Sequence, residues 1–176
     1  MKNLIKMSVI AAGMFAFGSA QAANTQLSGF VEEVCEVTGL ASNFNFQGGK
    51  AGTFLIDIPV GIQCNDGDGA VVELRSSEGG LESDDNEDLN FDYRARVVSP
   101  GIGLDLTLIT PDGVGPNDQS VTADVGGSVA LAGGVAAGLA VELLDDLVFA
   151  GGYSDTLALD ITAPVSYTHL TLPTKA

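Results

Sequence analysis

The feature that most constrains this chain is an alternation of apolar and other residues, which recurs in several segments. Its clearest instance runs from Phe54 to Cys64, where apolar side chains occupy every second position. Because successive side chains of a β-strand point to opposite faces, this period of two predicts a strand with one face in the core. Cys64 lies on the predicted inner face. Pro59 removes one backbone donor and therefore predicts an edge strand or a β-bulge.

Further segments show the same period. In 89–97 the apolar residues alternate with four that are predicted to face outward, namely Asn90, Asp92, Arg94 and Arg96. Other strands are predicted at 27–37, 70–75, 102–108, 120–125, 128–131, 139–144 and 153–161. Residues 136–148 also carry leucines four apart, which fits a helix, but their alternation favours a strand.

Glycine-rich and Asp/Asn-rich sequences separate the predicted strands. They occur at 65–69, 111–113, 126–127 and 133–134, and the first is interpreted as a hairpin turn. Many short strands without an alternating strand–helix pattern predict an all-β fold, an antiparallel β-sandwich. No repeat or linker interrupts residues 23–164, so one domain is expected there.

The first 22 residues resemble a secretory signal peptide. Lys2 and Lys6 precede an apolar stretch at 7–17, and a small-x-small cleavage pattern ends at Ala22. A membrane anchor is the weaker alternative, because the apolar stretch is well short of the roughly 20 residues that span a bilayer. The pattern predicts export to the periplasm and then to the cell surface or exterior, with no membrane insertion after cleavage.

Residues 165–176 resemble the translation of a sequencing-library adapter. The segment contains the only histidine, His169, and it is excluded from functional interpretation as a fusion scar would be. The alternative is a natural last strand at 165–172. If the adapter interpretation holds, the natural C-terminus is expected to be missing from this sequence.

Charge and cysteine content narrow the possible partners. The chain has seven Lys and Arg against 23 Asp and Glu, for a net charge of −16. Such an acidic chain repels nucleic acid and anionic lipid, so neither is an expected partner.

Cys35 and Cys64, the only cysteines of an exported chain, predict one disulfide in an oxidising compartment. No cofactor is predicted.

Four sequence features together resemble the spore coat protein U family, which includes the subunits of archaic chaperone–usher pili. One cysteine follows closely on the predicted mature N-terminus, and a second ends an apolar strand. Segment 89–93 resembles the family's tyrosine-bearing strand. The most specific feature is segment 149–157, which is similar to the family's closing AGxYxDTL motif through Ala150, Gly151, Tyr153 and Asp155.

The resemblance implies an immunoglobulin-like sandwich that lacks its last strand. The open groove of such a subunit is filled first by a strand of a periplasmic chaperone and then by the N-terminal extension of the next subunit. The implied donor here is segment 24–31, with Leu27, Gly29 and Val31 on one face. Truncation of an ordinary sandwich by the adapter segment is an open alternative explanation for a missing strand.

The expected function is therefore that of an exported structural or adhesive subunit of pilin type. Its expected partners are copies of itself or related pilus subunits, together with a periplasmic chaperone. The alternative is a complete, monomeric, exported β-sandwich that acts as a binding module and is stabilised by Ca²⁺.

The acidic segment 78–88 supplies the weak candidates for such a calcium site. Its carboxylates include Glu82, Asp84, Asp85 and Asp88, and clustered carboxylate oxygens suit Ca²⁺. The segment lacks the spacing of a loop that wraps one ion, and charge runs usually lie in water. A solvated loop between strands is the favoured interpretation, and no metal site is predicted.

Catalysis has few candidate residues. Outside the excluded end there is no histidine and no free thiol, the groups that titrate most readily near neutral pH. Asp145 and Asp146 are adjacent and would point to opposite faces of a strand, which makes a poor catalytic pair. The chain is therefore not expected to be an enzyme. Tyr153 is interpreted as a structural corner whose hydroxyl bonds to upstream backbone.

Overall fold

A computed structural model of the protein describes residues 26–40, 43, 49–110 and 118–165, without the side chains of 54–57 and 86–88. The predicted signal peptide, the predicted turn at 111–113 and residues 166–176 lie outside this part. The chain divides into two units, Met1–Val31 and Glu32–Ala176. In the first unit, residues 26–31 form no regular secondary structure.

The second unit is built almost entirely of strands. Within the described residues these are β1 (Cys35–Thr38), β2 (Phe54–Cys64), β3 (Ala70–Ser76), β4 (Leu81–Ser83), β5 (Asn86–Phe91), β6 (Tyr93–Ser99), β7 (Leu104–Ile109), β8 (Gln119–Val125), β9 (Val135–Leu143), β10 (Tyr153–Ser154) and β11 (Leu157–Thr162). A 3₁₀ turn at Pro100–Ile102 and the helix α1 (Val129–Gly133) connect some of them. Both of these described helices are too short to cross a bilayer.

The strands form three antiparallel sheets. A five-stranded sheet has the order β1-β2-β9-β6-β7, and two three-stranded sheets have the orders β11-β3-β8 and β10-β4-β5. In sequence, β10 leads into β11 and β3 leads into β4 after short breaks. All three sheets contribute to one apolar core. The predicted all-β, immunoglobulin-like antiparallel sandwich is confirmed.

The alternation of β2 has the predicted inward face. Ile58, Val60, Ile62 and Cys64 are each at most 5% exposed. The strand is internal to its sheet, and its pairing with β9 shifts register between Leu55 and Ile58. Pro59 itself pairs in register with Gly138 of β9, and β1 pairs only with the residues of β2 from Gly61 to Cys64. The proline therefore lies just after the register shift, in a part of β2 that has a ladder on one side only among the described residues.

The predicted disulfide is present. Cys35 and Cys64 lie directly opposite each other in the β1–β2 ladder and are bonded. The predicted strand at 27–37 is wrong in extent, because β1 begins only at Cys35. The reason is that β2 ends at Cys64, so residues before Cys35 have no strand to pair with. Asn65 replaces the strand there: its amide donates to the Glu32 carbonyl at 2.7 Å and accepts from the Val34 N–H at 2.8 Å.

The segment predicted as one strand at 89–97 is two strands in different sheets. The chain leaves β5 and enters β6 of the five-stranded sheet at Asp92. Asp92 was expected to face outward, but it is only 5% exposed. Its N–H donates to Asp145 Oδ2 at 3.0 Å and its carbonyl accepts from the Leu144 N–H at 2.8 Å. The side-chain alternation continues through this corner and so gives no sign of the change of sheet.

Two connections also differ from the predictions. The turn at 65–69 is not a hairpin turn, because β2 and β3 belong to different sheets. The predicted strand at 128–131 is the start of α1, where Ser128 Oγ accepts the Leu131 N–H at 3.1 Å. A serine cap followed by alanine and leucine favours a helix turn, and the glycines at 133–134 end it.

The remaining predicted strands are confirmed with shifted ends. The segment predicted at 139–144 is β9, which starts earlier at Val135 and ends at Leu143, so the strand interpretation of 136–148 holds for its first part. The alternation at 102–108 begins with a 3₁₀ turn before β7. The strand predicted at 153–161 is broken at 155–156 into β10 and β11.

The disulfide is expected to stabilise the fold by restricting the unfolded chain. Reduction should lower the free energy of unfolding by about 3–4 kcal/mol, because the bridge closes a loop over a sequence separation of 29. Urea unfolding with and without reductant measures this difference. The double variant Cys35→Ala/Cys64→Ala is the control and should not respond to reductant. An unchanged unfolding midpoint after verified reduction would contradict the expectation.

The helix assignment of 129–133 predicts unequal losses of stability when two nearby residues are replaced by alanine. Leu131 is fully buried, whereas Val129 is 92% exposed. Leu131→Ala should therefore cost about 2–5 kcal/mol by leaving a cavity, while Val129→Ala should change stability by less than about 0.5 kcal/mol. Chemical denaturation of both variants tests this. Equal costs would contradict the helix.

Candidate functional site

The first candidate site is the outer edge of β11. This strand pairs with β3 from Leu157↔Ser76 to Thr162↔Val71, and the sheet order leaves its other edge without a strand neighbour among the described residues. Its apolar side chains point inward: Leu159 and Ile161 are buried and Leu157 is half-buried. An edge of this kind presents backbone N–H and C=O groups that can pair with another strand.

Across the sandwich, β11 packs beside β1, which is itself the edge strand of the five-stranded sheet. The opposite side of the sandwich is bounded in the same way by β7 and β8, which also pack against each other. Edge position therefore does not distinguish β11 from the other outer strands. What distinguishes it is the cluster of hydrogen bonds immediately before its first residue.

That cluster is centred on the carboxylate of Asp155. Oδ2 accepts hydrogen bonds from Ser76 Oγ and from the Tyr93 hydroxyl, each at 2.6 Å. Oδ1 accepts from the N–H groups of Ser77 at 3.1 Å and Glu78 at 3.0 Å. One side chain thus joins the chain before β11, the bend after β3 and the first residue of β6.

Tyr93 is the member of this cluster that comes from the five-stranded sheet. Its side chain is 2% exposed. Burial, with the Asp155 carboxylate beside it as a second cause, raises the pKa of the Tyr93 hydroxyl well above its usual range. Tyr93 therefore keeps its proton and stays a hydrogen-bond donor to Asp155 at ordinary pH.

The cluster also joins two of the sequence features that carry the family resemblance. Tyr93 ends the segment 89–93, and Asp155 belongs to the segment 149–157. The two segments are far apart in the sequence, yet these two side chains share a hydrogen bond. The Tyr93–Asp155 contact gives both motifs a common structural role.

Tyr153 makes the corner that the sequence predicted. Its hydroxyl donates to the Phe149 carbonyl at 2.8 Å, and its ring packs edge-on against Phe91 at 5.2 Å between centroids. Of the other motif residues, Ala150 is exposed and Gly151 has φ +155°. A Cβ at the neighbouring Gly152 would clash with the Asp84 carboxylate. These residues shape the corner and hold no reactive group.

The candidate donor residues are exposed where the structure describes them. Leu27 is 90% and Val31 is 81% exposed, and Gly29 lies between them. Phe30, on the other face of an extended chain, is also 90% exposed. Asn24, at the start of the candidate segment, lies outside the described residues.

The acidic segment 78–88 is not the solvated loop that was expected. It contains β4 and the first half of β5, with Leu81 and Ser83 buried, and Asp84 and Asp85 are exposed at the turn between the strands. Glu82 is half-buried, and the side chain of Asp88 is not described. Across the described part of the chain, no group of three metal-ligating side chains is placed to hold an ion.

Asp145 and Asp146 follow β9 instead of lying on it, so the expected strand geometry does not apply to them. Asp145 accepts the Asp92 N–H, as described above. Asp146 Oδ1 accepts the Ala51 N–H at 2.7 Å, and its Oδ2 pairs with Lys50 Nζ at 3.7 Å. Each carboxylate therefore binds a different backbone segment, and the two do not converge.

A hollow of about 410 Å³ lies on the outer face of the five-stranded sheet. It is lined mainly by small and apolar residues, including Pro59, Gly61 and Ala136, and Glu36 is its single carboxylate. The hollow therefore does not bring together two carboxylates of the kind that a catalytic acid–base pair requires.

Every cation in the described part of the chain has an acidic partner. The ion pairs are Lys50–Asp146, Arg75–Asp118, Arg94–Glu142 and Arg96–Asp105. The Arg96–Asp105 pair is two-pronged, and the guanidinium holds the pKa of Asp105 below its usual value. These exposed pairs contribute little stability. They also leave no cluster of unpaired cations among the described residues that could bind an anion.

Comparison of the chain with protein-family models, with curated proteins and with solved structures finds no match.

Sequence reasoning missed Ser76, Ser77 and Glu78 as partners of Asp155. Ser76 is fully buried at the end of β3. A polar residue at an inward position of an otherwise apolar alternation was the available signal, because a buried hydroxyl needs a hydrogen-bond partner. The sequence does not indicate which residue provides that partner, since Asp155 lies 79 residues away.

The cluster predicts unequal costs for removing two tyrosine hydroxyls. Tyr93→Phe should cost about 1.5–3 kcal/mol, because it removes a buried hydrogen bond to a charged group. Tyr153→Phe is the matched control and should cost only about 0.5–1.5 kcal/mol, because its acceptor is a neutral carbonyl. Urea unfolding of both variants makes the comparison. A larger loss for Tyr153→Phe would show that the Asp155 cluster contributes little.

Proposed function

We propose that this protein is an exported, pilin-like structural or adhesive subunit that assembles with copies of itself or with related subunits by β-strand complementation. The observation that carries the proposal is the edge of β11, a strand paired on one side only among the described residues, whose start is fixed by the hydrogen bonds of Asp155. The Cys35–Cys64 disulfide supports an oxidising compartment outside the cytoplasm. The function proposed is structural and not catalytic.

The β11 edge offers two kinds of contact to an incoming strand. Its outward backbone groups can extend the ladder, which gives affinity independent of side chains. The adjacent β1 edge belongs to the other layer and already packs against β11, so an incoming strand would have to displace β1 from β11 before its inner face could reach the core that Leu159 and Ile161 line. Alternate side chains of the incoming strand would then determine its register.

The segment 24–31 of another copy has the chemistry for that position. Leu27, Gly29 and Val31 are two residues apart, so an extended chain presents them on one face. The segment carries no charged residue, which matters for a protein of net charge −16 because each added carboxylate would increase repulsion between copies. The exposure of Leu27 and Val31 supports a segment available to a partner.

The start of the sandwich is fixed close to where this segment ends. The Cys35–Cys64 bridge and the Asn65 side chain together hold residues 32–35. A donor segment anchored at a defined point loses less freedom on binding than a longer free tail. This arrangement supports a subunit whose N-terminal segment engages a neighbour at one spacing.

Substitutions on the two faces of the segment test the proposal. Leu27→Asp/Val31→Asp places two charges on the face that would enter the groove and should weaken association about 100-fold or more. Gln26→Asp/Ser28→Asp adds the same charge to the other face and should weaken it by much less. Sedimentation of the purified full chain over a range of concentrations measures both. A labelled peptide of residues 24–31 should also bind the wild-type protein.

Two results would count against assembly by this route. A wild-type chain that stays monomeric at every concentration and does not bind the peptide would favour the alternative of a complete, monomeric binding module. Equal effects of the two double variants would show that association is governed by charge alone and not by insertion of one face.

A further inference from the structure

We infer that Asp155 is a positioning residue that holds the start of β11 in place, so that the edge strand is ordered before a partner strand arrives. The inference rests on the proposed function for its consequence in assembly. Its structural part concerns the local stability of β11 and can be measured without a partner.

The need for such a residue follows from the position of β11. An edge strand has a ladder on one side only, and exposed edges open locally at lower free energy than internal strands. At its N-terminal end β11 is separated from β10 by only Asp155 and Thr156. The chain breaks away from regular pairing at this point, so the side chain of Asp155 is well placed to anchor the strand.

The anchor reaches both layers of the sandwich. Ser76, Ser77 and Glu78 belong to the end of β3 and the bend that follows, within the layer of β11 itself. Tyr93 belongs to β6 of the five-stranded sheet. The Ser76 hydroxyl also accepts the Gly79 N–H at 2.9 Å, which extends the network through the bend. Opening the start of β11 would leave these donors without their acceptor.

The donors around Asp155 favour a carboxylate over an amide of the same shape. All four groups around Asp155 donate hydrogen bonds to it, and the raised pKa of Tyr93 keeps its hydroxyl protonated. Asparagine has the same shape but one of its two groups is itself a donor. Asp155→Asn keeps one acceptor oxygen for the two N–H groups and places an amide nitrogen at the Ser76 and Tyr93 hydroxyls, which would have to turn and accept. The hydrogen bonds then become neutral and weaker with almost no change in volume.

The consequence for assembly is a change in apparent affinity, and in association rate, that follows the ordered fraction of β11. If β11 is ordered only part of the time, the apparent affinity for an incoming strand falls in proportion to the ordered fraction. A pre-ordered edge also avoids the entropy cost of fixing β11 at the moment of binding. Asp155 would thus act on capture of the partner without touching it.

Native-state hydrogen exchange of the full chain tests this, with Asp155→Asn compared with Asp160→Asn. Asp160 lies on β11 with its side chain exposed and opposite Glu73. The control therefore removes one carboxylate charge from β11 itself. Asp155→Asn should speed exchange of the β11 amides by about tenfold or more. The amides of β7, an edge strand on the other side, should change by less than about twofold. Asp160→Asn should leave both strands near wild type.

A second readout is the association rate of the labelled peptide of residues 24–31, which should fall with Asp155→Asn and not with Asp160→Asn. If Asp155→Asn does not fold, Tyr93→Phe removes one of the four donors and should give a smaller rise in exchange, still confined to β11 relative to β7. Unchanged exchange in β11, or an equal rise in β7, would overturn the inference. A rise confined to β11 in a protein whose wild type binds no peptide would support the positioning role and reject the proposed assembly.

Discussion

The fold depends on finding acceptors for backbone N–H groups wherever the chain passes between sheets. A strand satisfies its own backbone through its neighbours, but a corner does not, and buried unpaired N–H groups are costly. In this protein side-chain oxygens fill that role repeatedly. Asp155 accepts from Ser77 and Glu78, and Asp145 accepts from Asp92. Elsewhere Asp146, Asp66 and Asn65 accept the N–H groups of Ala51, Asp68 and Val34.

This use of carboxylates means that part of the acidity of the chain has a structural role. A net charge of −16 invites explanation by solubility or by cation binding. Several of the aspartates are instead fixed by donors from distant parts of the sequence, such as Asp146 with Ala51 across 95 residues. Hydrogen bonds to a charged acceptor are stronger than neutral ones, so aspartate is well suited to these corners. The ion pairs that use all the described cations lie at the surface and add little.

The difference between strands, which are local, and corners, which depend on distant residues, explains what the sequence could and could not predict. Alternation located β2, β3, β8 and β9 and placed Cys64 in the core, because burial of one face is a local property of each strand. It did not predict the sheet changes at Asp92 and at 155–156, since the inward positions stay in phase through both. It also assigned a strand where Ser128 caps a short helix, because four residues are too few to separate the two periods. For the site, segment 149–157 marked Tyr153 and Asp155, but the Asp155 partners Ser76 and Tyr93 are set by tertiary packing alone.

The charge also constrains how such a protein can meet another copy of itself. Two bodies of the same strong charge repel at long range, and physiological salt reduces this repulsion beyond about 8 Å without removing it at contact. Association through broad faces would bring many carboxylates together, including Glu73 and Asp160, which already lie opposite each other on β3 and β11. A single uncharged strand added to an edge gains backbone hydrogen bonds over a narrow contact and keeps the charged faces apart. The acidity that makes face-to-face packing unfavourable is therefore compatible with assembly through the β11 edge.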